Sequence, residues 1–267
     1  MRRWIMSVLL FCCVLSEVFA ADDKPLIFGV LNQQSPIKTA QRWNPILKYL
    51  AETTGLQFQM KMGATVQETD AMMGRGEFDL VFTNHNFRKE YDGVYKVIAR
   101  LAGNPIYGVI AVPTDSPIKT LKELAGKRVV FPSKEAFVAY AVPMAALNTL
   151  KVKVEPVLAG NQEGALAQLR ARQVDAAAVN SRFLSQYAAQ NALPYRELFT
   201  SEGFAELAII IHPRIPQGEA AVIQKALLGM KYDPKAAAVL EASGTPGFDP
   251  ATDRDYDNAR KIYQRLD

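Results

Sequence analysis

The strongest constraint on the fold is an alternation near the start of the chain. Short apolar runs take turns with stretches of helical spacing. Leu26-Ile27-Phe28-Gly29-Val30-Leu31 is bounded by Pro25 and by Asn32-Gln33-Gln34-Ser35, which predicts a buried strand followed by a polar loop. Ser35-Pro36 supplies an N-cap and a first-turn proline. Trp43, Ile46, Leu47 and Leu50 then fall on one helical face, and Gly55 closes the helix. Phe58, Met60 and Met62 alternate as a second strand. Gln67 to Met73 is a short helix ending at Gly74, and Phe78 to Phe82 is a third strand. A β-α-β-α-β order implies a mainly parallel sheet covered by helices on both faces.

The pattern recurs later. Ile106 to Val112 is a long apolar strand, followed by a short helix within Ser116–Lys127 that ends at a glycine. Arg128–Phe131, Val152–Val157 and Val174–Val179 read as strands, separated by helices over 136–150 and 161–172. Leu207–Ile211 returns as a strong strand. Helices over 219–230, 235–242 and 253–266 complete the chain. Two such sets imply two facing lobes, residues 22–108 plus 208–267 and residues 109–207, with the strands at 107–112 and 207–211 as the two crossings.

Residues 1–20 differ from the rest. Arg2 and Arg3 precede an apolar core from Ile5 to Leu15, and Val18-Phe19-Ala20 fits a small-x-small cleavage site. This predicts a cleaved export signal with Ala21 as the first mature residue. Both cysteines, Cys12 and Cys13, lie inside this segment, so the mature chain has neither a disulfide nor thiol chemistry. Formal net charge is +4 over 267 residues, and +3 once Arg2, Arg3 and Glu17 are removed. No Lys/Arg run suits nucleic acid. With 49% hydrophobic residues there is material for a sizeable core. A soluble exported protein is expected.

In open α/β sheets, ligands sit beyond the carboxyl ends of the strands. The polar residues expected there are Gln33, Gln34 and Ser35 after the first strand, and Asn84, His85 and Asn86 after the third. Ser133, Lys134, Asn161, Gln162 and Asn180 end the strands of the second set, and Tyr107 stands at the crossing. Trp43 and Tyr49, at helical spacing, read as core. The two histidines lack metal spacing, and no nucleophile-base motif or phosphate loop is present, so neither a metal nor a cofactor nor catalysis is expected.

Several segments carry a family resemblance over essentially the whole mature chain. They are FGVLNQQSPIKTAQRWNPILKYLAETTG, GEFDLVFTNHNF, YGVIAVPTDSPIKTLKELAGKRVVFPSKEAF, AQLRARQVDAAAVN and DPATDRDYDNARKIYQRL. The chain resembles the periplasmic solute-binding proteins of phosphate, phosphite and phosphonate ABC transporters. The resemblance implies the type II periplasmic-binding-protein fold, an α/β clamp of two lobes that closes on a small anionic ligand. It also implies an inner-membrane ABC permease as partner, a periplasmic location and a monomer. Family members hold an oxyanion with hydroxyls and backbone N–H groups at a helix start in the second lobe, which here corresponds to Pro132-Ser133-Lys134-Glu135-Ala136. Lys134 and Glu135 stand where further hydroxyls are expected, and Gln162 falls about where a histidine is expected. The alternatives are a sensor subunit presenting a ligand to a membrane kinase and, third, an enzyme on the same fold.

Overall fold

The computed structural model describes residues 24–32, 34–83 and 93–266. The first half of the chain runs β1 (Leu26–Val30), α1 (Pro36–Thr54), β2 (Phe58–Lys61), α2 (Val66–Gly74), β3 (Leu80–Thr83) and β4 (Lys96–Leu101). The chain then builds β5 (Gly108–Pro113), β6 (Arg128–Phe131), α3 (Val142–Thr149), β7 (Glu155–Leu158), α4 (Gln162–Arg170), β8 (Ala176–Asn180), α5 (Ser181–Asn191) and β9 (Tyr195–Thr200). It returns through β10 (Ala208–Ile211), α6 (Gln217–Gly229), α7 (Pro234–Ser243), β11 (Phe248–Asp249) and α8 (Asp257–Tyr263).

The strands form two sheets, ordered β11-β4-β10-β3-β1-β2 and β7-β6-β8-β5-β9. Pairing is parallel where helices connect the strands, at β1–β2, β1–β3, β6–β7 and β6–β8. It is antiparallel around β10 and β5. Each sheet is therefore mixed rather than mainly parallel. The reason is connectivity: a strand entering from the other half of the chain need not follow a βαβ crossover.

The crossings are also displaced from the expected positions. β5 and β10 lie wholly within their own sheets, and the chain passes between sheets in the segments before them. Those two segments run side by side, with Ile106 N–H donating to Phe204 O (2.8 Å) and Phe204 N–H to Ile106 O (2.9 Å). Residues 253–266 add no strand to the first sheet, and Tyr263 packs on Phe137 of the second half at 5.6 Å.

Trp43, 1% exposed, centres the first core, its ring 5.0 Å from Phe28 and 4.6 Å from Phe82. Tyr49 is buried and its hydroxyl donates to Asp233 Oδ2 at 2.8 Å. Both are core residues.

The helical run expected over 136–150 begins unusually. Phe137–Ala141 is a π-turn leading into α3. Ala141 N–H donates to Ala136 O at 3.1 Å, and Val142 N–H donates to Phe137 O. Pro143 explains this. Inside a continuous α-helix it removes one hydrogen bond and its ring clashes with the carbonyl four residues back; widening the preceding turn relieves both. Gly108 allows that turn to approach β5, since a Cβ there would lie 2.1 Å from Val138 O.

Candidate functional site

Between the sheets lies a small cavity of about 50 Å³, where the carboxyl ends of β1, β6, β7 and β8 converge. At about 12 Å³ per water-sized position it holds roughly four such positions, the scale of a tetrahedral oxyanion. Its lining includes Leu31 and Asn32 after β1, Pro132 and Ser133 after β6, and Ala136–Ala139 at the π-turn. Gly160, Asn161, Gln162 and Asn180 add to its polar wall, and none of the lining side chains among the described residues carries a charge.

The polar groups share one property. Asn161 Oδ1 accepts from Gly164 N–H at 2.7 Å as the cap of α4. Gln162 Oε1 accepts from Asn180 N–H at 3.1 Å. Asn180 Oδ1 accepts from Arg182 N–H at 2.9 Å as the cap of α5. A backbone N–H can only donate, so each side-chain oxygen is engaged and each NH₂ group is left to donate elsewhere. Ser133, 8% exposed, adds a hydroxyl. Ala136 N–H is taken by Ser133 O (3.4 Å), and the helix start that follows it, over 137–139, adds the partial positive charge that a helix N-terminus presents. Asn32 is spent on structure: its amide donates to Gly63 O (2.9 Å) and its oxygen accepts from Thr69 Oγ1 (2.6 Å). Among the described residues the cavity's side-chain amides are thus donor-rich, a composition suited to an anion.

The structure brings together Ser133, Asn161, Gln162 and Asn180 from the sequence-predicted set. Gln34 and Ser35 line a wider cavity of about 470 Å³ that shares Asn32, Val66, Pro132, Ser133, Gly160 and Asn161 with the small one. Ser35 Oγ accepts from Lys38 N–H at 3.4 Å and caps α1. Lys134 is exposed and lines neither cavity. Tyr107 is outside both linings too. Its ring faces the second crossing, where a Cβ on Gly203 would meet it at 3.2 Å. Gln33, Asn84, His85 and Asn86 lie outside the described residues. His212 accepts from Arg214 N–H through Nδ1 (3.1 Å), away from these cavities; burial lowers its pKa, which Arg214 lowers further and Asp79 opposes.

Residues not anticipated from the sequence span the cleft. Gln67 Nε2 donates to Glu135 Oε2 at 3.3 Å, so this carboxylate faces the opposite lobe and is not part of the small cavity's wall. Lys38 Nζ is 3.6 Å from Glu163 Oε2, an exposed pair worth at most about 1 kcal/mol. A third cavity, about 480 Å³, shares Asn180 and Leu207 with the small one. Among the described residues, Lys38, Arg42, Arg182, Glu206 and Glu241 are its charged lining. Glu206, 1% exposed in the second crossing, pairs with Arg182; burial pushes its carboxyl pKa up, and Arg182 opposes that. Arg42 stacks over Trp43 (5.7 Å) and Phe82 (5.6 Å), and burial lowers its pKa against the pull of Glu206.

Two mixed sheets joined by paired crossings, with a donor-lined cavity between them, define a two-lobed binding protein. The chain belongs to the family of periplasmic substrate-binding proteins of ABC phosphonate transporters, whose model matches residues 28–256. This is a family of transport receptors rather than enzymes. None of the curated proteins is a significant match. Among solved structures, PhnD1 from Prochlorococcus marinus in complex with methylphosphonate is similar at TM-score 0.79 and 15% identity, over 92% of this chain and 99% of that one. The binding-protein component of an ABC phosphonate transporter from Pseudomonas aeruginosa is similar at 0.77 and 15%, over 91% and 87%. A Xanthomonas citri protein bound to ATP is similar at 0.77 and 16%, over 90% and 97%.

Proposed function

We propose that this protein is the periplasmic receptor of an importer for a small phosphorus oxyanion, a phosphonate, phosphite or phosphate, and that it delivers this ligand to an inner-membrane ABC permease. Residues 1–20 act as the export signal, and the chain from Ala21 works as a monomer. Residues 22–108 plus 208–267 and residues 109–207 form the two lobes, which hinge at the paired crossings. The observation that carries the reading is the set of donors among the described residues: three amides whose oxygens already accept a backbone N–H, beside the Ser133 hydroxyl and a helix start. Methylphosphonate in the Prochlorococcus neighbour favours the same ligand class. The cross-cleft contacts at Gln67–Glu135 and Lys38–Glu163 are weak by themselves, so ligand contacts made only in the closed state set the balance between open and closed.

A thermal-shift panel on the chain from Ala21 tests this. Phosphate, phosphite, methylphosphonate and aminoethylphosphonate are compared with sulfate and a set of carboxylates. A ligand at a hundred times its Kd stabilises by roughly 2.7 kcal/mol, a shift of several degrees at this size. A shift with a phosphorus oxyanion that shrinks in Ser133→Ala supports the reading. Shifts confined to other solutes overturn it.

A further inference from the structure

The small cavity accommodates an oxyanion headgroup but little more. A ligand with a longer substituent must place it in a neighbouring space. Among the described residues, two spaces that adjoin it differ in charge. In the cavity beside Ser35 and Thr65, the charged lining residues are Lys38 and Glu163, which pair with each other. In the cavity on the other side, among the described residues, Arg42 and Arg182, with the same Lys38 at the shared edge, face two carboxylates. Glu206 is buried, pairs with Arg182 and also attracts Arg42, and Glu241 is exposed to solvent, where its field is screened, so the cations outnumber the carboxylates by one. Arg42 differs from the other two cations: its Nε is buried and has no hydrogen-bond partner among the described residues. Its guanidinium is held over Trp43 and Phe82, so the fork is pre-positioned before any ligand arrives. A buried donor left without a partner is costly, and a guanidinium is suited to receive a carboxylate or phosphate in bidentate fashion.

We propose that the cavity lined by Lys38, Arg42 and Arg182 takes a second anionic group of the ligand, so that the preferred substrates are organophosphonates or phosphate esters bearing a distal carboxylate or phosphate. This rests on the phosphorus-oxyanion reading and specifies its substituent. Asn180 and Leu207, shared by both cavities, mark where the linker between the two groups runs. A cationic substituent such as an ammonium is disfavoured in the same space.

The test is calorimetry on the chain from Ala21 with four probes: methylphosphonate, propylphosphonate, 3-phosphonopropionate and 2-aminoethylphosphonate. The expected result is that phosphonopropionate binds at least tenfold more tightly than propylphosphonate, and aminoethylphosphonate more weakly than propylphosphonate. In Arg42→Gln the phosphonopropionate-to-propylphosphonate ratio falls toward one, and in Arg42→Lys it is partly kept. Because the ratio is first measured in the unsubstituted protein, a variant that fails to fold leaves the test intact. Binding of methylphosphonate without a carboxylate advantage, or tighter binding of the ammonium compound, overturns this proposal and leaves the oxyanion reading standing. Absence of binding by all four probes overturns this proposal, and the oxyanion reading falls with it only if phosphate and phosphite also give no shift in the thermal panel.

Discussion

Gly108→Ala tests how the fold positions its binding turn. An ideal Cβ at Gly108 lies 2.1 Å from Val138 O and 3.0 Å from Val138 C, both backbone atoms. Reaching even 3.0 Å from the oxygen requires β5 and the π-turn to separate by about 0.9 Å. The turn has little room to yield, because Phe137 is wedged against Phe204 (4.8 Å) and Tyr263 (5.6 Å). Overpacking of this kind costs about 1–3 kcal/mol. For a domain this large that is a fall in Tm of roughly 2–12 °C. The same shift displaces Ala136–Ala139 from the cavity wall, so methylphosphonate affinity should fall by about tenfold or more. Differential scanning fluorimetry with and without ligand reads both effects. Gly218→Ala in α6, where a Cβ meets nothing within 4 Å, is the control and should be neutral or slightly stabilising. A Gly108→Ala protein with unchanged Tm and affinity would refute the claim that close approach of β5 holds the turn.

Three other perturbations follow from the same geometry. Gln162→Glu keeps an acceptor for Asn180 N–H but replaces the free NH₂ with a charge of the ligand's own sign, so oxyanion affinity should drop by about 100-fold or more in calorimetry; retained affinity would contradict the donor-wall account. Glu206 is held above the usual carboxylate pKa by burial, so its contribution to stability is full below its unfolded pKa and is lost as pH rises through the raised folded value. Accordingly, the stability of Glu206→Gln relative to the parent should improve as pH rises from the ordinary carboxylate range through the raised folded value, and a change of opposite sign in paired melts would sink the assignment. Trp43→Ala removes the ring between Phe28 and Phe82 and should cost about 3–5 kcal/mol in denaturant unfolding, a loss that Trp43→Phe largely restores.

Much of this fold is legible in the sequence because its central strands are apolar and its helices carry caps. Ser35 and Asn161 cap the helices they were read to start, and Gly55 ends α1 in the left-handed conformation. The strands that escape notice lack those signals. β9 is an edge strand reading YRELFT, whose Arg196 and Glu197 look like loop residues. β11 has two residues, and β4 follows the undescribed segment 84–92. The mixed pairing is not encoded locally at all, since strand direction depends on which half of the chain supplies β10 and β5.

The candidate site divides along similar lines. Ser133, Asn161, Gln162 and Asn180 stand out because polar residues at strand ends are conspicuous. Phe137, Val138 and Ala139 do not, because their contribution is backbone, and an apolar side chain hides the amide that carries it. Lys134 and Glu135 show the converse. Both are adjacent to the site in sequence, yet one is exposed and the other faces Gln67. Arg42 sits one residue from a core tryptophan, and nothing in its local pattern reveals that its guanidinium lies over Trp43 and Phe82 at the wall of a cavity it shares with Glu206, far along the chain.

The most direct measurement is a crystal structure of the chain from Ala21 grown with methylphosphonate. The account predicts the phosphorus atom inside the small cavity, with its oxygens taking hydrogen bonds from the Ser133 hydroxyl, the Gln162 and Asn180 amides and the backbone over 137–139. A ligand seated elsewhere, or a cleft that holds none at saturating concentration, would contradict it.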